Sequence, residues 1–331
     1  MTQRKLPSVV ARRGFLRAMA AATALSITLG PQLGARAADR AVVRIGYQKA
    51  ASTLVLLKAR GQLETSLGAR GFDVKWIEFP AGPQLLEGMN VGSVDFGYVG
   101  EAPPVFAQAA GTPFVYVGYE VPTPKAEAVL VPKASAIKRF ADLKGKRIAF
   151  NKGSDVHWLV LALLKQNGLR YEDIQPIYLA PADARAAFER GAVDAWAIWD
   201  PFKSAAILQT GAQVLATGEG VVSHHQFFLA SRSFATQHPE VVDALIDEAG
   251  KTGRWIVEHR RAAAELLAPI QGLDVEVVET SLSNYAHVFR PIDATVLAEQ
   301  QRIADAFFDL KLIPARIATR DAVSSLVTAQ R

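Results

Sequence analysis

The sequence contains no cysteine. That excludes disulfides, thiolate metal sites and a cysteine nucleophile, and it argues against an N-terminus anchored by lipid on cysteine. Long apolar runs are scarce. Beyond residue 37 nothing approaches 18 consecutive apolar residues, so no later segment reads as a membrane span. Nucleotide and hydrolase motifs are missing too. A phosphate-binding loop needs Gly-Lys followed by Ser or Thr, and Gly145-Lys146-Arg147 fails that test. Gly218-Glu219-Gly220 begins a dinucleotide-like pattern but has Ser223 where the third glycine belongs. No Gly-x-Ser-x-Gly nucleophile turn occurs. The six histidines are scattered. His224 and His225 are adjacent, and in a strand they would face opposite ways and could not share a metal. No metal or cofactor is expected.

A basic excess is missing as well, although the whole chain carries a net charge of +5. Residues 1–37 hold six basic residues (Arg4, Lys5, Arg12, Arg13, Arg17, Arg36) and no acidic ones. Taking those six from the 37 basic residues leaves 31 against 32 acidic ones, a net charge of −1. Without a basic footprint, nucleic acid is not an expected partner.

What is present begins with those same 37 residues. Arg12-Arg13-Gly14-Phe15-Leu16-Arg17 precedes a modest apolar run over 18–29, and Ala35-Arg36-Ala37 follows. This order is a twin-arginine export signal with a small-x-small cleavage site. The run is too short and too rich in Ala and Thr to span a bilayer. The expected mature chain has 294 residues, enough for two lobes with separate cores. It should be a soluble monomer without a membrane anchor, in the periplasm.

Short β-branched segments alternate with helical ones. Strands are expected over 42–47, 72–77, 94–99 and 114–119, with helices over 54–67, 83–90 and 104–110. A second unit repeats the rhythm, with strands over 147–150, 174–179 and 193–198 and helices over 156–166 and 183–190. This is the pattern of an α/β fold with mostly parallel sheets. The units share an echo, Gly92-Ser93-Val94-Asp95 and Gly191-Ala192-Val193-Asp194, in which glycine ends a helix and an apolar residue enters a strand. From residue 239 onward the chain reads as mainly helical. Residues 38–132 and 226–331 are assigned to a first lobe and 133–225 to a second, with crossover strands over 126–132 and 226–231.

Several loops run from a strand tip straight into a helix start, where open α/β sheets collect ligands and free backbone N–H groups favour an anion. They are Tyr47-Gln48-Lys49, Pro80-Ala81-Gly82-Pro83-Gln84, Gly100-Glu101-Ala102-Pro103-Pro104, Asn151-Lys152-Gly153-Ser154-Asp155 ahead of His157, and Ile198-Trp199-Asp200-Pro201. The candidate ligand-binding residues are therefore Gln48, Gln84, Gly100, Glu101, Gly153, Ser154, His157, Trp199 and Asp200. Each has a plainer reading. Ser154 or Asp155 is a good N-cap, Pro83 and Pro104 suit a first helical turn, Trp199 fits a core, and Lys49 fits solvent.

The loops also resemble a known family, the aliphatic sulfonate-binding proteins, periplasmic receptors of sulfonate ABC importers. The stretches that carry the resemblance are Arg44-Ile45-Gly46-Tyr47-Gln48-Lys49, Glu78-Phe79-Pro80-Ala81-Gly82-Pro83-Gln84, Pro122-Thr123-Pro124-Lys125-Ala126-Glu127, Asp142-Leu143-Lys144-Gly145-Lys146-Arg147-Ile148-Ala149-Phe150 and Asp194-Ala195-Trp196-Ala197-Ile198-Trp199-Asp200-Pro201. The likeness runs from Arg44 to about Arg316. It implies a two-lobed periplasmic binding protein of type II-like form, each lobe a mostly parallel sheet flanked by helices, hinged by the two crossover strands. It further implies that the protein closes on its ligand and docks on a membrane permease driven by a cytoplasmic ATPase. One position departs from the pattern: Glu101 stands where the resemblance leads one to expect Asp.

A sulfonate is a permanent anion with three acceptor oxygens and an organic tail. Neutral donors hold it without a buried lysine or arginine, whose desolvation is costly. Gln48 and Ser154 are candidate side-chain donors, backbone N–H groups near Gly100 and Gly153 candidate main-chain donors, and Trp199 a wall for the tail. Two other receptors fit the same fold. One takes an aromatic or pyrimidine compound, and one takes taurine, with Glu101, Glu127 or Asp200 meeting the ammonium. A desulfinase-like enzyme would need the cysteine this chain lacks, so no catalysis is expected. The leader yields a direct test. Replacing Arg12 and Arg13 by Lys should leave unprocessed precursor in the cytoplasm on immunoblotting of cell fractions, and normal periplasmic yield would point to the general secretory route.

Overall fold

The computed structural model describes residues 40–323; the export signal expected over 1–37 lies outside them. Strands β1 (Ala41–Tyr47), β2 (Phe72–Glu78), β3 (Phe96–Gly100) and β4 (Phe114–Glu120) alternate with helices α1 (Ser52–Arg60), α2 (Gln62–Gly68), α3 (Gly82–Asn90) and α4 (Pro103–Ala109). A second set follows: β5 (Glu127–Val131), β6 (Arg147–Phe150), β7 (Gln175–Tyr178), β8 (Ala195–Trp199) and β9 (Gln213–Thr217), with α5 (Asp155–Gln166), α6 (Pro181–Glu189) and α7 (Phe202–Thr210). The chain returns through β10 (Gln226–Ser231) into α8 (Arg232–Gln237), α9 (Pro239–Glu258), α10 (Arg260–Gln271), α11 (Val275–Asn284), β11 (Phe289–Arg290) and α12 (Ala294–Asp309).

These elements build two sheets of matching plan. The first runs β11-β4-β10-β3-β1-β2 and the second β7-β6-β8-β5-β9. In each, a β-α-β-α-β unit supplies three parallel strands, β2-β1-β3 and β7-β6-β8. Each then accepts one antiparallel strand laid down as the chain changes lobes: β10 beside β3, and β5 beside β8. Most strands of each sheet thus run the same way, the exceptions being the crossover strand in each and β11 at the edge of the first.

The four-residue echo has a structural role. Gly92 (φ 71°) and Gly191 (φ 70°) adopt the left-handed conformation that glycine tolerates best. The aspartate that follows each then grips an arginine on the central strand. Asp95 Oδ2 accepts the Arg44 backbone N–H at 2.8 Å, and its carboxylate receives Arg44 Nε and Nη2 at 2.8 and 2.7 Å. Asp194 does the same with Arg147, at 2.8 Å to the backbone N and 3.2 Å to both guanidinium nitrogens. The bidentate pairing holds the Asp194 carboxyl below its ordinary range, chiefly through the Arg147 hydrogen bonds.

Apolar packing follows the sheets. One face of the first sheet packs Ile45, Phe96 and Phe228 against Leu56 of α1, Leu245 of α9 and Leu267 of α10. Its other face packs Val99 and Phe227 against Leu85 and Leu86 of α3 and Val296 of α12. The second sheet buries Ile148, Ala149 and Trp196 with Val160 of α5 and Phe188 of α6. A further cluster joins Val105 of α4, Leu161 of α5 and Phe307 of α12, so the last helix packs on both halves.

Three sequence expectations change. The helix expected over 54–67 is two helices, because Gly61 takes φ 62° and caps α1 by donating to Lys58 O. Residues 127–131 pair with β8 and β9 in the second sheet, so the boundary expected after residue 132 falls before Glu127. The strands β5 and β10 each lie wholly within one sheet, and the crossings themselves are the segments 121–126 and 218–225. These run side by side, joined by Thr123 N to Ser223 O (3.1 Å) and Gly218 N to Pro124 O (3.1 Å). The Asp95 grip is testable. Its carboxylate is nearly buried, so Asp95→Ala strands a backbone donor as well as a guanidinium and should cost about 1–3 kcal/mol in urea denaturation.

Candidate functional site

The carboxyl ends of the parallel strands from both sheets meet at one enclosed cavity. From the first sheet and its helices come Gln48, Ala50, Ala51, Gly82, Tyr98, Gly100 and Pro103; Ser154, Asp155 and Trp199 come from the second. The returning chain adds His224 and Gln226, and Tyr285 closes the wall just past α11. The cavity holds about 20 Å³, room for one or two waters. An organic anion needs more room than this.

Helix starts converge here. The residues capping α1 and α3 are Ala51 and Ala81, which have no side-chain oxygen, so no side chain takes up the first N–H groups of either helix. None of the described residues lining the cavity is lysine or arginine. Gln48 Nε2 donates to Tyr98 O at 3.2 Å, which aims the side chain along the floor. The Tyr98 hydroxyl donates to Glu120 Oε2. Burial pushes the Glu120 carboxyl up to about 7, although hydrogen bonds from Tyr98 and the His287 backbone work against the shift.

Four of the nine sequence candidates lie on the wall: Gln48, Gly100, Ser154 and Trp199. Ser154 makes no capping bond to α5. Its hydroxyl donates instead to Asn151 O at 2.7 Å, a choice that sequence could not reveal. Five candidates lie off the wall, and all but Gln84 are engaged with other partners. Gln84 sits half-buried on α3, and its Oε1 has no partner. Glu101 turns away to accept the backbone N–H groups of His224 (3.2 Å) and His225 (2.9 Å), so it grips the returning crossover. Gly153 has φ 77°, and its N–H donates to His157 Nδ1 at 3.2 Å rather than facing the cavity. His157 packs parallel to Phe150 and donates from Nε2 to the Tyr171 hydroxyl at 3.1 Å. Burial pushes it down to about 3, so it is a neutral part of an aromatic cluster. Asp200 is fully buried and bonds Ser204 N (2.9 Å), Asn284 Nδ2 (2.8 Å) and Lys203 Nζ (3.1 Å). With Glu101 and Asp200 engaged and Glu127 off the wall, the carboxylates considered for an ammonium do not face the cavity.

Sequence reasoning missed Asp155, His224, Gln226 and Tyr285 as wall residues. Asp155 was legible only as a helix start. His224 and Gln226 stand at the end of a crossing, and α11, which delivers Tyr285, has no strong sequence signature. His224 and His225 lie in the crossing rather than in a strand. His224 has φ 53°, a left-handed conformation uncommon outside glycine, and is held by Thr123 and Glu101. Its imidazole is kept below its ordinary value by burial, against the pull of the Glu101 charge.

Burial pushes Asp155 up to about 7, and the nearby Glu101 charge adds to the shift. Ionising Asp155 in the folded protein is therefore costly. Its contribution to stability is complete below its unfolded value near 4 and is lost as pH rises through about 7. Asp155→Asn removes that loss. Its melting temperature should gain on the unsubstituted protein between pH 5 and pH 8 in thermal scans, and a constant gap across that range would contradict the shift.

A family model described as NMT1/THI5 like matches residues 68–263, more than half of the chain. A protein of Escherichia coli (strain K12), provisionally named an aliphatic sulfonates-binding protein, is 45% identical over 282 residues, covering 85% of this chain and 88% of its own. The structure of the alkanesulfonate-binding protein SsuA from Xanthomonas axonopodis pv. citri bound to MOPS superposes with TM-score 0.82 at 47% identity, covering 87% of this chain and 99% of that one. The periplasmic aliphatic sulphonate binding protein SsuA from Escherichia coli gives TM-score 0.78 at 44% identity, covering 86% and 97%.

Proposed function

Because this chain belongs to the aliphatic sulfonate-binding proteins of the NMT1/THI5-like family, we propose that it captures aliphatic sulfonates in the periplasm and hands them to an ABC permease for sulfur uptake. It acts as a binding protein and not as an enzyme. The observation that carries the reading is a wall without lysine or arginine at which helix starts lacking side-chain caps converge, those of α1, α3 and α5. A sulfonate stays ionised at any physiological pH. Backbone N–H groups at helix starts offset its lost hydration without a buried cation. In this reading the headgroup sits against the starts of α1 and α3, with Gln48 and Ser154 as adjacent polar groups, and the tail lies along Trp199. The two halves swing apart about the paired crossings at 121–126 and 218–225 to admit the ligand and close over it. The export signal sends the chain to the periplasm by the twin-arginine route, and it works there as a monomer.

Recognition of three oxygens separates a sulfonate from a carboxylate. Isothermal calorimetry with ethanesulfonate and propionate should show the carboxylate weaker by about 1–3 kcal/mol, the cost of a donor left unpaired in a closed site. Equal affinities would mean that the cavity reads charge or tail alone. The tail contact is tested by Trp199→Ala. Each methylene that loses an apolar neighbour forfeits up to about 0.8 kcal/mol. Pentanesulfonate should therefore lose more affinity than methanesulfonate, and equal losses would remove Trp199 from the tail wall.

A further inference from the structure

The sequence suggests that Gly100 is there to let a ligand approach the backbone. In the structure another group fills that space. A β-carbon on Gly100 would lie 1.5 Å from Asp155 Oδ2 and 2.1 Å from its Cγ. Gly100 ends β3 of the first sheet, and Asp155 begins α5 of the second half. The carboxylate therefore reaches across the cavity from one half and rests on the backbone of the other. Its seat is built. Oδ1 accepts the Ala102 backbone N–H at 3.0 Å, and Oδ2 accepts Gln226 Nε2 at 3.2 Å. His224 Nε2 lies 3.6 Å from Oδ2. Every one of these partners belongs to the first sheet, its loops or the returning crossover. Asp155 itself is 6% exposed. Pro103 and Pro104 open α4 without N–H groups of their own, so the donors this loop offers Asp155 are the N–H groups of Ala102 and Glu101.

We propose that Asp155 is the clasp between the two halves: its carboxylate is a positioning group that seats on residues 100–102 and Gln226 when the cavity shuts, and glycine at position 100 is required to admit it. Asp155 does not itself hold the sulfonate headgroup. By occupying the donors at 102 and 226 it leaves the starts of α1 and α3 as the seat for an anion. The inference rests on the proposed opening and closing of the halves about the paired crossings.

The clasp makes a specific prediction about a pair of substitutions. Gly100→Ala drives a methyl group into the carboxylate and should wedge the cavity open. The same change made together with Asp155→Ala meets no carboxylate and should add nothing to the effect of Asp155→Ala alone. The absence of native cysteine makes the distance measurable. Spin labels on Val91→Cys, after α3, and Leu208→Cys, in α7, report on one half each, since both positions are exposed. Pulsed electron resonance is recorded with and without ethanesulfonate. Asp155→Ala should move part of the closed population to longer distances, and Gly100→Ala should move more of it. The double variant should match Asp155→Ala. Calorimetry on the same proteins should show ethanesulfonate affinity reduced about tenfold or more by Gly100→Ala, again without a further loss in the double variant.

An unchanged distance distribution in both single variants overturns the clasp, as does an outward shift by Gly100→Ala that is the same with and without Asp155. If Gly100→Ala does not fold while the double variant does, the steric coupling is upheld. If neither folds, Asp155→Ala alone decides, through the presence or absence of its outward shift. Failure of the unsubstituted protein to bind ethanesulfonate would overturn the sulfonate reading alone, because the distances without ligand still test the clasp.

Discussion

A buried carboxylate is costly unless donors replace its lost water, and a buried backbone N–H is costly unless an acceptor replaces its own. This protein resolves both costs together, repeatedly, where two segments must be held in register. Asp95 and Asp194 take the N–H of the neighbouring central strand. Glu101 takes two consecutive N–H groups of the returning crossover. Glu120 receives the N–H of His287, Asp200 that of Ser204 and Asp155 that of Ala102. Strand order, crossover path and cavity shape all depend on these acidic side chains acting as backbone acceptors.

The same chemistry explains how the proposed anion site sits among so many acids. Most of these carboxylates face inward onto backbone donors and away from the cavity. Among the helix starts at the wall, those of α1 and α3 follow alanine caps and that of α5 is left uncapped by the Ser154 hydroxyl, so no side-chain oxygen competes for their first N–H groups. Asp155 is the carboxylate that does reach the wall, and burial holds it up to about 7, which limits the charge it presents there. In the proposed site an anion and a buried acid coexist because the acid has donors of its own.

The two sheets repeat one plan, and the repeat locates the joint between them. Each half is built on its parallel strands and holds one antiparallel strand laid down where the chain arrives from the other half. The two crossings lie side by side and bond to each other, so they form a narrow joint. Helix α12 packs against α4 and α5 on one flank, and Asn284 and Tyr285 meet Asp200 on another. The proposed opening about the joint must respect both contacts, which favours rotation over free separation.

Much was legible in the linear order of residues. The alternation of β-branched and helical segments determined the α/β class, and the glycine-led echo marked equivalent strand entries in both halves. The strand-tip loops marked where ligands collect, and the resemblance of those loops pointed to the family. These are local or periodic properties, set by backbone sterics and by which face of an element is apolar. Tertiary structure alone decided which side chains on those loops face the cavity. Ser154 looked like a cap and bonds Asn151 instead; His157 and Asp200 looked like ligand contacts and are buried among their own partners. Asp155 looked like a helix start and crosses to Gly100. Side-chain direction there depends on where donors more than fifty residues away arrive, as Ala102 and Gln226 do, and no local pattern encodes that distance.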